Sequence, residues 1–384
     1  MLPRERRATA ALTGIYATRI LGLFLLLPVL DLYVRSLPGG SQRLAGFAVG
    51  AYALAQGFLL IPAGHLSDRI GRKPVIAGGL LLFIAGSLFG MFTHTVTGVI
   101  IARLLQGTGA ISSAVTALVA DVTRPEVRTR AMAVIGISIG LCFILSLLAG
   151  PALDGAFGVS GIFASMALLG LGSLAALAFV PRPDAPPPAR GSALSASLWR
   201  APLLLTYIGI FSVHFSLTCT FVAVPQILND TLHLDVATHW KVYATVFLIS
   251  LLITVPLLRL FEKSAAPRRI TQAAVALLGA ALAWLALGGD SAWGIRAGMA
   301  LFFGAFNFLE AQLPSRLSLV AEASSRGTAM GIFATSQFLG AGVGGMLAGQ
   351  MLGARLPMAG VFGAAAAVAT LWLVCLLLLH ERDA

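Results

Sequence analysis

GHLSDRIGRKP, residues 64–74, gathers Asp68, Arg69, Arg72 and Lys73 into one short stretch of a chain that is only 11% charged. Apolar runs flank it on both sides, near 44–63 and 74–92. A charged turn between two such runs is the pattern of a short loop joining membrane-crossing helices, since one crossing takes about 20 apolar residues. Composition agrees over the whole length. Hydrophobic residues make up 58% of the 384 and the mean hydropathy is +0.91. A soluble domain is about half apolar and roughly a quarter charged. No water-soluble core would hide this much apolar surface, so lipid is the expected solvent for most of the chain.

Outward from the charged turn, apolar stretches fall near 9–34, 44–63, 74–92, 96–120, 130–152 and 160–180. Six more fall near 201–228, 238–260, 269–287, 293–318, 327–350 and 356–379. Lipid offers no water to satisfy backbone groups, so each stretch is predicted to be a helix. The 42 glycines suit helices that approach one another closely. The predicted fold is an all-α integral membrane protein of twelve transmembrane helices in two six-helix, pseudo-symmetric halves. The halves are residues 1–180 and 201–384, joined by a Pro-rich cytoplasmic linker over 181–200. MLPRERRATAALTG shows no cleavage-site pattern, so the first apolar stretch is expected to be retained as a helix. Cys142, Cys219 and Cys375 are isolated and have neither disulfide-like nor metal-like spacing.

With the amino terminus placed in the cytoplasm, 19 of the 26 Lys and Arg residues fall in cytoplasmic connections and 5 in outer loops. Arg19 and Arg103 lie inside spans. This asymmetry is the positive-inside pattern and puts both termini in the cytoplasm of a multi-pass protein of the cell's inner membrane. Because the basic residues are split among short loops, the net charge of +11 forms no continuous track for a nucleic-acid backbone. The expected partners are the bilayer and a small-molecule substrate, with the chain acting as a monomer.

The halves repeat. FLLLPVL from Phe24 and FVAVPQIL from Phe221 put Pro28 and Pro225 in register at an offset of 197. TRAMAVIGIS, 129–138, aligns with GTAMGIFATS, 327–336, at an offset of 198. Parallel repeats of this kind point to a transporter with its substrate site at the repeat interface.

The charged turn resembles motif A of the major facilitator superfamily, a G-x-L-x-D-R-x-G-R-K loop, filled here by Gly64, Leu66, Asp68, Arg69, Gly71, Arg72 and Lys73. RLLQGTGA from Arg103 resembles the fourth-span R-x-x-Q-G motif of the same superfamily. SLLAGPALDG, with Gly150, Pro151 and Gly155, resembles the fifth-span motif of its drug–proton antiporter branch, although Asp154 replaces one closing glycine. ERRAT, LPVL, FNFLEAQLPS and GTAMGIF are similar to pieces of YajR-type exporters. Those carry an additional soluble carboxy-terminal domain, which a chain ending in HERDA is not expected to have. The resemblance implies a conformational latch. Asp68 would serve the amino-terminal end of the eleventh span near Gly327, where partial positive charge gathers, and Arg72 would pair with Asp121 in fork geometry. The second-half counterpart, RLFEKSAAPRRI, has neither the glycines nor the aspartate.

Ionisable groups deep inside spans mark coupling sites. Arg103 shares a helix face with Gln106 and Gly107, and the resemblance implies that it influences a proton site. Snorkelling to the outer surface is the alternative. Arg19, midway along the first span, is expected to attract an anion or to pair with an acid. Glu310 lies about 15 residues from the outer end of its span, too deep to snorkel at ~1.5 Å per residue. Desolvation favours an uncharged carboxyl, which fits Glu310 to take up and release a proton, with Asn307 as a polar companion on the same face. His214, central in the seventh span, titrates near physiological pH or serves as an interhelical hydrogen-bonding residue.

These readings lead to a proton-coupled secondary transporter exporting an amphipathic small molecule by alternating access. It would use the proton gradient and no bound cofactor or metal. The alternative is a symporter or facilitator of a small metabolite. The inward spans, however, offer few of the Asn, Gln and Trp residues that commonly line sugar-transporter cavities. A polytopic membrane enzyme is the remote alternative. It would need a nucleophile–base pair or clustered ligands, and the histidines at 65, 94, 214, 233, 239 and 380 form no cluster within a span.

Overall fold

The computed structural model describes residues 1–181, 196–288, 291–322 and 325–379. Most of the expected linker lies outside the described residues, as do Arg182, Arg190 and Arg382 of the positive-inside count. The described residues are all-α.

The first apolar stretch is two helices rather than one: α1 (Pro3–Phe24) and α2 (Leu30–Ser36). Pro28 sits in the gap, where it supplies no N–H and disfavours helical geometry in the residue before it. Helix α3 (Gln42–Ile70) ends at the charged turn. Gly71 follows with φ +97°, a backbone conformation that suits glycine, and α4 (Arg72–Phe92) starts at once. The fourth stretch is also broken, into α5 (Val96–Thr108) and α6 (Ser112–Val122). Helix α7 (Pro125–Phe179) carries two crossings, divided at Gly158, where φ is +67° and ψ 176°. That break falls between the stretches read as 130–152 and 160–180.

The second half continues with α8 (Ala201–Gln226), which runs through Pro225 into a π-turn at Ile227–Thr231. Pro28 and Pro225, aligned in sequence, thus both mark departures from regular helix. Then come α9 (His239–Lys263), α10 (Pro267–Gly288), α11 (Ala292–Val320), α12 (Arg326–Gly353) and α13 (Met358–Leu378). Ten described helical stretches are long and apolar enough to cross a membrane. One of them, Arg130–Phe179, holds two crossings, and the broken α1–α2 segment is the first, so the crossings come to twelve.

Two compact units form: Met1–Gly40 with Ala51–Gly191, and Ser41–Gly50 with Ser192–Ala384. The first is cored by Leu12 and Ile15 of α1, Ile76 and Leu80 of α4, Val115 and Leu118 of α6 and Leu177 of α7. In the second, α12 lies against α8 with almost no room for side chains. A methyl group on Gly340 would stand 2.3 Å from the carbonyl oxygen of Phe211, and one on Gly344 2.4 Å from that of Phe215. The start of α3 belongs to this unit as well, and Gln42 and Gln226 exchange two amide hydrogen bonds of 3.0 Å.

Candidate functional site

At the charged turn, Gly71 reverses the chain so that Arg72 opens α4 and reaches back over α3. Arg72 donates to Asp68, to Ser67 Oγ (2.7 Å) and, through Nε, to Asp121 Oδ2 (3.3 Å) at the end of α6. One guanidinium therefore ties the ends of three helices, a task that suits its planar, multiply donating fork. Lys73 donates to the Val180 carbonyl, while Arg69 is exposed. Gly64 faces Ser113 of α6, whose Oγ would be 3.4 Å from an added methyl. In the antiporter-like stretch, Gly150 lies against the break after α1. An added methyl there would be 2.4 Å from the Leu25 carbonyl oxygen. Pro151 is buried within α7 and Gly155 is exposed.

Arg19 and Arg103 are each 1% exposed and meet in one cluster around Tyr52. Arg19 stands 5.3 Å and Arg103 4.7 Å from that ring, and Arg19 also covers Phe83 at 4.8 Å. No carboxylate among the described residues bonds to either guanidinium. In place of the expected acid, Arg19 is held by the Gln106 carbonyl and the Gln56 amide oxygen. The same absence leaves Arg103, which does not snorkel, without a carboxylate to influence directly. The helix breaks supply the partners instead. Leu27 N–H turns to the Phe24 carbonyl (3.1 Å) rather than continuing the α1 ladder. Arg103 of α5 then donates to Gly22 O (2.9 Å) and reaches Leu23 O (3.5 Å), the carbonyls at the end of α1. Arg19 of α1 in return donates to Gln106 O (2.8 Å), at the end of α5. Each arginine caps the carboxy-terminal end of the other's helix, where partial negative charge gathers. Amides complete the cluster: Gln106 Oε1 accepts from Arg103 (2.9 Å), and Gln106 Nε2 donates to Ser87 (2.8 Å). Gln56 Oε1 accepts from Arg19 (3.1 Å), while Gln56 Nε2 donates to Ser112 (3.3 Å) at the start of α6.

In the second unit, α8 and α11 bring His214 Nε2 to 3.0 Å from Glu310 Oε2. The imidazole is 4% exposed and the carboxyl 26% exposed, so the acid is the accessible member of the pair. Phe306 meets the imidazole edge to face at 5.9 Å, with Phe302 stacked beyond it. Gln337 of α12, which the sequence reading passed over, completes a triangle. Its Nε2 lies 3.1 Å from Glu310 Oε1 and 2.7 Å from His214 Nε2. The close α8–α12 approach at Gly340 and Gly344 holds Gln337 there. Asn307 turns to Ser250 Oγ of α9 (3.4 Å) instead. Chemically, the triangle can accept, share and return a proton, because a carboxyl and an imidazole are both titratable and lie within transfer distance.

Outside the spans, Glu5 accepts from the Arg124 side chain (2.8 Å) and from Leu2 N–H (2.6 Å). The guanidinium first, and then the amide, hold the Glu5 carboxyl down at about 2.

A family model described as Major Facilitator Superfamily matches residues 12–344 and 206–384. The chain is 40% identical to the inner membrane transport protein YajR of Escherichia coli over 97% of this chain and 83% of that protein. It is 37% identical to multidrug resistance protein 2 of Bacillus subtilis over 36% of this chain and 35% of that one. The crystal structure of the human organic anion transporter MFSD10 superimposes with a TM-score of 0.71 at 19% identity, covering 98% of this chain and 100% of the other. That likeness is one of fold alone.

Proposed function

The chain belongs to the Major Facilitator Superfamily of membrane transporters, and on that footing we propose that it exports an amphipathic small molecule in exchange for protons, by alternating access. The observation that carries this reading is the Glu310–His214 contact of 3.0 Å between two crossing helices, α8 and α11. Ionisable pairs at membrane depth are expensive and are kept for transport chemistry. Glu310, partly open, takes up the proton, and His214, buried behind it, shares or relays it. The similarity of 36% of the chain to a multidrug resistance protein supports the export direction. The name of the Escherichia coli relative supports placement in an inner membrane, and the distribution of Lys and Arg supports both termini on the cytoplasmic side. The proton gradient is the energy source in this reading, with no bound cofactor. Arg72, bridging Asp68 and Asp121, is the proposed conformational latch.

The test is transport in proteoliposomes under an imposed pH gradient, with a panel of amphipathic compounds. Glu310→Gln keeps the shape and most hydrogen bonds of the side chain but cannot cycle a proton. It is expected to abolish gradient-driven export while the protein still folds. Removal of the imidazole in His214→Ala reduces the rate less if the ring only relays. Gradient-driven transport by both single variants and by the double variant would overturn the proton-coupled reading in favour of facilitated diffusion or another ion.

A further inference from the structure

We propose that Gln337 is a positioning residue that turns its side-chain amide end for end as the Glu310–His214 pair takes up a proton, so that both proton states are fully hydrogen-bonded. The inference rests on the reading of that pair as the proton carrier. Three polar side chains stand in a closed triangle: His214 Nε2 to Glu310 Oε2 at 3.0 Å, His214 Nε2 to the amide at 2.7 Å, and the amide to Glu310 Oε1 at 3.1 Å. His214 Nε2 offers either one hydrogen or one lone pair, and an ionised carboxylate offers only acceptors. The amide offers donors at one end and an acceptor at the other.

Two arrangements follow. With Glu310 ionised, the amide nitrogen gives a charge-assisted hydrogen bond to Glu310 Oε1 while His214 Nε2–H serves Oε2. The amide then draws back from the imidazole, because two N–H donors do not share a 2.7 Å contact. The proton arrives on Glu310 Oε1, forming one O–H bond, and that O–H needs an acceptor, which the amide nitrogen does not supply. Rotation brings the amide carbonyl inward, where it accepts from the new carboxyl O–H and from His214 Nε2–H. Loss of the proton reverses the turn. Without such an amide, one of the two states leaves a polar atom orphaned in a medium that penalises it heavily.

Among the described residues, His214 is the titratable group that bonds to the carboxyl. Helix α10 brings Arg268 to Arg316, six residues beyond Glu310 on α11. The last turns of α9 carry Arg259, Glu262 and Lys263, and α12 opens with Arg326. None of these bonds to Glu310 among the described residues.

Two measurements test the proposal. The first is the pH–rate profile of Gln337→Met, which keeps the length and removes both ends of the amide. Loss of one hydrogen bond to the ionised carboxylate is expected to move the midpoint upward by about one pH unit, with transport still gradient-driven. A profile that overlays the wild type overturns the proposal. The second uses wild-type protein with isotope-labelled glutamine, so it does not depend on the variant folding. Infrared difference spectra are expected to show a glutamine amide band that changes on acidification and falls silent in Glu310→Gln. A glutamine band indifferent to pH overturns the proposal even where Glu310 proves essential. If Glu310→Gln itself remains gradient-driven, the proton-carrier reading falls first and this inference falls with it.

Discussion

Substituting Gly340 by alanine tests whether backbone contact between α8 and α12 is what assembles the proton triangle. The added methyl would stand 2.3 Å from the Phe211 carbonyl oxygen, against the 3.4 Å at which ordinary contact begins. Phe211 and Gly340 both belong to rigid helical backbone, so the strain is relieved by α12 moving off α8 by about 1 Å rather than by a rotamer change. Gln337 is one turn before Gly340, and His214 one turn after Phe211, so the same movement stretches their 2.7 Å contact to about 3.7 Å, beyond hydrogen-bond range. Overpacking of this kind costs about 1–3 kcal/mol, and a lost hydrogen bond of about 1.4 kcal/mol is a tenfold effect. Gly340→Ala is therefore expected to lower both the unfolding midpoint in mixed micelles and the gradient-driven rate, the latter by about tenfold. Gly331 lies on the same helix with nothing within 4 Å of an added methyl, so Gly331→Ala is the matched control. Equal rates and equal unfolding midpoints for the two variants would refute the reasoning.

Arg103→Lys keeps the charge but lets one ammonium replace a fork that serves Gly22 O and Gln106 Oε1 together. The unfolding free energy in mixed micelles is expected to fall by about 2 kcal/mol, and an unchanged titration would remove the capping role. Glu5→Gln addresses acid stability. The folded carboxyl sits at about 2 and the ordinary value is 4.5, so its ion pair stabilises fully above the ordinary value and is lost as pH falls toward 2. The variant is expected to melt earlier than wild type at pH 6 and to converge with it in strong acid; a constant gap down to pH 2 would contradict the pairing.

What the sequence revealed followed from how each signal arises. The crossings were legible because hydropathy sums over about 20 residues, and the division at Gly158 was legible because polarity and glycine coincide there. The breaks at Leu25–Val29 and Gly109–Ile111 were not, since both are apolar and a hydropathy sum runs straight across them. Missing the breaks hid the backbone partners of Arg19 and Arg103: the carbonyls that accept from them are free only because the helices stop. Glu310 and His214 stood out as ionisable groups in apolar stretches, and sequence spacing gave no sign that α8 and α11 would bring them to 3.0 Å. Gln337 carries no charge, so a search for charged residues passes over it. A search for amides at the depth of Glu310 would have found it. Asn307 shared a face with Glu310 by helical spacing, but Ser250 on a neighbouring helix took its side chain.

The reciprocal capping of α1 and α5 bears on how the chain is made. While α1 alone is in the bilayer, the carbonyls of Gly22 and Leu23 have no guanidinium, and Arg19 has no Gln106 carbonyl to hold. The first crossing is therefore incomplete until the fourth arrives. Until then it requires the water-lined environment of the insertion machinery, or a locally unbroken helix that rearranges later. A ribosome paused before residue 103 should leave an amino-terminal helix that is easily extracted from the membrane, whereas one paused after α6 has emerged should leave it fixed.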